Sequence, residues 1–301
     1  MSDLPDLFPG FDSHYIATDA GRLFVRTAGR GAPLVLLHGF PQTMACWHRI
    51  APTLAREHKV VLIDLRGYGW SAVPDADAKH ASYSKRAMAE DVVRVMEELG
   101  HVRFALAGHD RGARVGYRLA LDHPGRLSKL ALLDIIPTVT MWERMDASRA
   151  MQVYHWTFLA QPRPVPETLI SRAPSEWLEH TLASWTQSKD LKAFAPGALA
   201  HYRAFFANPD RISATCEDYR AGAGIDAEMD EKDLKAGRTI DCPTMILWGN
   251  AGIPAAGTKP IDIWRQTFAP EATGQGIDSG HFLPEENPTA TLSALEEFFR
   301  T

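Results

Sequence analysis

The 301-residue sequence contains no stretch approaching the roughly 18 consecutive apolar residues of a membrane-spanning helix, and that absence excludes a helical span. It has no run of lysine or arginine able to follow a phosphate backbone. With a net charge of -5, nucleic acid is not an expected partner. Cysteine is scarce: Cys46, Cys216 and Cys242 are scattered and odd in number, which excludes a paired disulfide or zinc framework and leads us to expect no metal. The opening residues, Met-Ser-Asp-Leu-Pro-Asp, place acid and proline where a secretory signal has a basic start and an apolar run. A reducing, cytoplasmic setting is the expectation. What is present, 45% hydrophobic and 23% charged residues, is enough to bury a large core, either one domain or a core carrying an insertion.

Short apolar runs recur at Pro33–Leu37, Lys59–Asp64, Phe104–Gly108, Lys129–Asp134 and Thr244–Gly249. Each is rich in Leu or β-branched residues without polar alternation, the pattern of parallel strands covered on both faces. Helical stretches such as Ala87–Leu99 and Ala290–Phe299 lie between or after them. The class is α/β with an open, mostly parallel sheet and helices on both faces. Tyr15–Thr18 and Arg22–Thr27, joined through Ala20-Gly21, predict an antiparallel hairpin at its start. From Thr138 to Ala236 the strand pattern stops, and the segment holds four of the eight tryptophans and three of the seven tyrosines. We therefore expect a core of residues 1–137 and 237–301, interrupted by a helical cap of residues 138–236; a lid and a plain structural insertion would both have this composition.

The strand Phe104–Ala107 runs into Gly108-His109-Asp110-Arg111-Gly112 and then a helical stretch. Small residues flanking a central side chain at a strand-to-helix turn define a nucleophile elbow, which here would present Asp110. An aspartate capping the helix would have the same local sequence. Three further placements favour the elbow. Leu37-His38-Gly39-Phe40-Pro41 follows a buried strand, as an oxyanion loop does; the backbone N–H of Arg111 and one from this loop, assigned to Phe40, would hold an oxyanion. Ser279-Gly280-His281-Phe282 precedes the last helix, where a catalytic histidine belongs. No carboxylate stands in Asn250-Ala251-Gly252-Ile253, so the acid partner of His281 is assigned to Asp134. Ser71 lacks the second small residue and the following helix, and is set aside as a nucleophile.

An aspartate nucleophile displaces a leaving group from saturated carbon and forms an ester on the enzyme, which a histidine-activated water then hydrolyses. Arg111 and Arg114 share a face in the first turn of the elbow helix, where cations oppose the helix dipole. Two guanidinium forks in that unfavourable position suit a substrate carboxylate. Surface arginines paired to cap acids would look the same in sequence.

Asp6-Leu7-Phe8-Pro9-Gly10-Phe11, His38-Gly39-Phe40-Pro41-Gln42, Gly108-His109-Asp110-Arg111-Gly112-Ala113-Arg114, Tyr154-His155-Trp156, Cys216-Glu217-Asp218-Tyr219-Arg220 and Ser279-Gly280-His281-Phe282 together resemble the fluoroacetate dehalogenases of the α/β-hydrolase superfamily, over nearly the whole chain. The resemblance implies catalysis by Asp110, His281 and Asp134, carboxylate binding by Arg111 and Arg114, no cofactor, and a homodimer. It also implies a halide site at His155, Trp156 and Tyr219. An imidazole, an indole and a phenol would suit fluoride, a strong hydrogen-bond acceptor. The alternatives from sequence are an epoxide hydrolase using Tyr154 and Tyr219 to protonate an epoxide, a haloalkane dehalogenase, and a non-catalytic binder.

Overall fold

The computed structural model describes residues 4–252 and 258–300, so Ile253 and the Met-Ser-Asp start lie outside the described residues. Eight strands form one sheet: β1 (Asp12–Thr18), β2 (Gly21–Ala28), β3 (Ala32–Leu37), β4 (His58–Ile63), β5 (Phe104–His109), β6 (Leu127–Leu133), β7 (Thr244–Gly249) and β8 (Thr273–Ile277), in the order β1-β2-β4-β3-β5-β6-β7-β8. The expected hairpin is β1–β2, and β2 also runs antiparallel to β4; every other pairing is parallel.

Burial follows the apolar runs. All six residues of β5 are buried, as are the last four of β3, β4 and β6, so these strands have neighbours on both faces. The α/β-hydrolase arrangement expected from the sequence is the one observed. β8 is different: Thr-Gly-Gln-Gly-Ile is mostly exposed and carries no apolar signature, because it is the edge of the sheet. A Cβ on Gly274 would stand 1.9 Å from the carbonyl oxygen of Ile246, so its neighbour strand β7 demands glycine there.

Between β6 and β7 the chain forms eight helices and no strand, from Thr138–Glu143 through Ile225–Lys235. No helix among the described residues is long and apolar enough to cross a membrane.

Parallel strands deliver their C-terminal ends to one edge of the sheet, and the segments singled out in the sequence leave from there: Phe40 after β3, Asp110 after β5, Asp134 after β6, Gly252 after β7 and His281 after β8. The β5 turn is tight. A Cβ on Gly108 would lie 2.5 Å from the backbone of Gly112, and one on Gly112 would lie 2.5 Å from the carbonyl oxygen of His38. The expected outcome of Gly112→Ala is a loss of about 1–3 kcal/mol in urea unfolding as the elbow and the β3 loop are forced apart; a wild-type midpoint would contradict the tight approach.

Candidate active site

Asp110 joins β5 to the elbow helix, Arg111–Asp122, with φ 45° and ψ −113°. A non-glycine residue at positive φ is uncommon and persists only where the surroundings enforce it. The carboxylate makes no capping bond to its own helix. Instead its Oδ1 accepts a 2.8 Å hydrogen bond from the Phe40 amide. The helix-cap alternative is thereby removed. His38 braces the Phe40 loop, its Nδ1 lying 3.1 Å from the Gly39 carbonyl and its Nε2 accepting from the Leu65 amide at 3.1 Å.

The other carboxylate oxygen, Oδ2, lies 3.9 Å from Nε2 of His281, beyond hydrogen-bond range. That nitrogen has no partner among the described residues. Nδ1 of the same ring is 2.6 Å from Oδ2 of Asp134, whose Oδ1 accepts the Gly249 amide at 2.9 Å. Asp134 has φ 55°, so the chain leaves β6 sharply and turns this carboxylate toward the β8 loop. The His281 amide donates to the Trp185 carbonyl at 2.9 Å, and its own carbonyl accepts from His109 Nε2 at 2.8 Å. Asp110, His281 and Asp134, separated by up to 171 residues in the chain, therefore meet as a nucleophile, base and orienting acid would. Ser71 is engaged elsewhere, bonding the Phe24 amide and the Asp64 carbonyl.

Charge at the site is set by burial and by neighbours. Burial alone would raise the Asp110 carboxyl, but the charges of His281, Arg111 and Arg114 outweigh it and hold the group below the ordinary carboxylate value. For His281, burial favours the neutral ring; the hydrogen bond and charge of Asp134, with Asp110 beyond, reverse this and raise it above 6.5. His155 is driven down to about 3, chiefly by burial, and is a neutral imidazole.

Both elbow arginines are buried, Arg111 at 1% and Arg114 at 3% exposure, which disposes of the surface-arginine alternative. They converge on one ring: their guanidinium carbons stand 5.8 and 4.6 Å from the centre of Trp156. Arg111 is nevertheless paired to an acid of the segment between β6 and β7, donating through Nε and Nη2 to the Asp218 carboxylate at 2.9 and 2.6 Å. Lys85 and Tyr68 donate to that same carboxylate. Arg114 donates from Nη1 to the Ile136 carbonyl and the Thr138 hydroxyl, each at 3.0 Å, and forms no ion pair among the described residues. Arg111 Nη1 and Arg114 Nε are buried without a partner there.

His155 and Trp156, on the helix Tyr154–Leu159, are both buried and flank the same ring: Tyr219 lies 5.7 Å from His155 and 6.0 Å from Trp156 between centroids. Tyr154 is 37% exposed and does not join this cluster as a second buried phenol. Two contributors escaped the sequence reading. Trp185 stands 4.3 Å from His155 and 5.4 Å from His281, and Asp218 orients Arg111. An aromatic in a helical segment carries no local mark of function. Asp218 was legible only as part of the Cys216–Arg220 motif.

The α/β hydrolase fold family matches residues 32–288. A curated fluoroacetate dehalogenase from Burkholderia sp is 42% identical, covering 97% of this chain and 95% of its own. A soluble epoxide hydrolase from Corynebacterium sp. (strain C12) is 29% identical over 95% of this chain and 96% of its own. A solved candidate epoxide hydrolase from Pseudomonas aeruginosa superposes with a TM-score of 0.92 at 46% identity, covering 98% of this chain and 97% of its own. The chain belongs to the α/β-hydrolase family. Within that class it is an enzyme related, over almost its whole length, to the fluoroacetate dehalogenase.

The His281 imidazole is expected to titrate above 6.5 by NMR in the intact protein and to fall in Asp134→Asn, where the raising bond and charge are lost; an unchanged value in the variant would contradict the pairing.

Proposed function

We propose that the protein hydrolyses short 2-haloacids, with fluoroacetate and water giving glycolate and fluoride. The observation that carries the proposal is the pair of buried guanidiniums on the nucleophile's own helix, of which Arg114 has no carboxylate partner among the described residues. A buried cation whose hydrogen-bond partners are all neutral is suited to receive an anion. A haloacid brings one; an epoxide or a haloalkane does not. The 42% identity to the fluoroacetate dehalogenase supports the same reading.

In this scheme Arg114, with Nη1 of Arg111, takes the carboxylate and turns the α-carbon toward Asp110. Oδ2 attacks, because Oδ1 is engaged by the Phe40 amide. The carbon–fluorine bond breaks and fluoride leaves with the electron pair toward His155, Trp156 and Tyr219, whose N–H and O–H groups are the donors proposed to receive it. A water then loses its proton to Nε2 of His281 and adds to Cγ of the ester. The oxyanion forms on Oδ1, held by the amides of Phe40 and Arg111. Collapse expels Oδ2 with glycolate, whose alkoxide takes its proton from His281; Asp110, now carrying the water's oxygen, loses the second water proton to solvent and returns to the carboxylate. Asp134 stabilises the imidazolium between these steps.

The domain reading, a core of 1–137 and 237–301 under a cap of 138–236, belongs to this proposal, since the cap supplies the halide donors. A homodimer in the cytoplasm completes it. The epoxide hydrolase relatives keep a second reading in play, but the tyrosine pair it requires has only one buried member, Tyr219.

Incubation with fluoroacetate, chloroacetate and styrene oxide separates the two readings: halide release without diol is expected, and diol without halide would replace the proposal with the epoxide reading. One turnover in heavy-oxygen water is expected to label Asp110 before product. Arg114→Met is expected to raise KM by about a hundredfold, equivalent to losing a charged hydrogen-bonded contact of about 2–3 kcal/mol.

A further inference from the structure

A second buried acid lies close to the triad in sequence and outside it in space. Glu285, on the short helix Leu283–Glu286 that follows His281, is 0% exposed and forms no ion pair among the described residues. Its Oε2 accepts from the side-chain amide of Gln42 and from the Tyr202 hydroxyl at 3.0 Å, and Gln42 lies 3.2 Å from that same hydroxyl. Its backbone carbonyl accepts from Arg49 at 2.8 Å.

The two side-chain partners come from different parts of the chain. Gln42 is two residues beyond Phe40, and its amide closes the oxyanion loop by donating to the Gly39 carbonyl at 2.9 Å. Tyr202 stands on the helix Pro196–Phe206 of the inserted segment. The adjacent Glu286 accepts the amides of Gly280 and Phe282, each at 2.9 Å, on either side of His281. One short helix thus grips the loop of the base through Glu286 and the loop of the oxyanion donor through Glu285.

We propose that Glu285 is a positioning residue that works as an uncharged acid, tying the Phe40 loop and the His281 loop to each other and to the inserted helix. The inference rests on the ester-hydrolysis scheme, in which both loops act on the same carboxyl carbon. The groups facing Glu285 are Arg49 and Cys46 from the chain after Gln42, Tyr202 from the inserted helix, and Glu286 beside it. Burial raises its carboxyl to about 8, against the opposing pull of Tyr202, Arg49 and Gln42, so near neutral pH it carries its proton. A buried carboxylate there would have only neutral side-chain donors and the offset Arg49 to compensate it.

Because the folded protein binds this proton more tightly than the unfolded chain, the contribution of Glu285 is present below about 4.5 and is lost as pH rises through about 8. Glu285→Gln mimics the neutral acid. Its halide release should match wild type below pH 7 and lack the wild-type fall near pH 8, and its melting temperature should gain on wild type as pH rises from 5 to 8. Tyr202→Phe, which removes a donor that favours the charged form, should move the wild-type fall to higher pH. Glu285→Ala should slow ester hydrolysis about tenfold to a hundredfold and let the ester accumulate on Asp110 by intact mass. An unaltered alkaline fall in Glu285→Gln, or full activity in Glu285→Ala, would overturn the proposal. Wild-type protein inert toward every haloacid would instead remove the dehalogenase reading, and the melting comparison would then decide the state of Glu285.

Discussion

The site depends on one backbone constraint: Asp110 is held at positive φ between a fully buried strand and a helix. A residue there cannot relax without opening the contact between Gly108, Gly112 and the β3 loop. The turn keeps the carboxylate off its own helix, delivers Oδ1 to the Phe40 amide and leaves Oδ2 facing His281. Backbone strain of this kind is retained when the surroundings determine it this fully. The remaining groups are placed around that point by parallel strands ending at one edge of the sheet.

The electrostatics follow from exclusion of water. In a buried site, each charge has to be answered by another charge or by hydrogen bonds. Asp134 answers His281, and Asp218 answers Arg111 and Lys85 together with Asp226. Arg114 has no carboxylate within ion-pair distance among the described residues; it donates to a carbonyl and a hydroxyl and lies over the Trp156 ring. The donors proposed for the halide are of another kind, a neutral imidazole and two neutral aromatics, which can offer N–H and O–H groups without adding charge that would hold the product ion.

The buried strands were legible because burial on both faces requires unbroken apolar runs, and those runs locate β3 to β7 to within about two residues. The edge strand β8 was not, since its Gly274 answers to a close approach by β7 rather than to a core. The elbow could be read as a local pattern. Asp134 could be named only by eliminating the β7 loop. Trp185, Asp218 and Glu285 act through partners as many as 243 residues away, as in the bond from Gln42 to Glu285, and such pairings leave no periodicity in the chain.

The sequence by itself determined the class of sheet, the elbow and the identity of the groups that could do chemistry, because strand burial and tight turns impose residue types on neighbouring positions. Tertiary structure alone decided which oxygen of Asp110 faces His281, which arginine is already paired, that Tyr154 is exposed while Tyr219 is buried, and that Glu285 sits without a salt bridge among the described residues. Those outcomes turn on distances of a few ångströms between segments far apart in the chain, and on whether water is excluded between them.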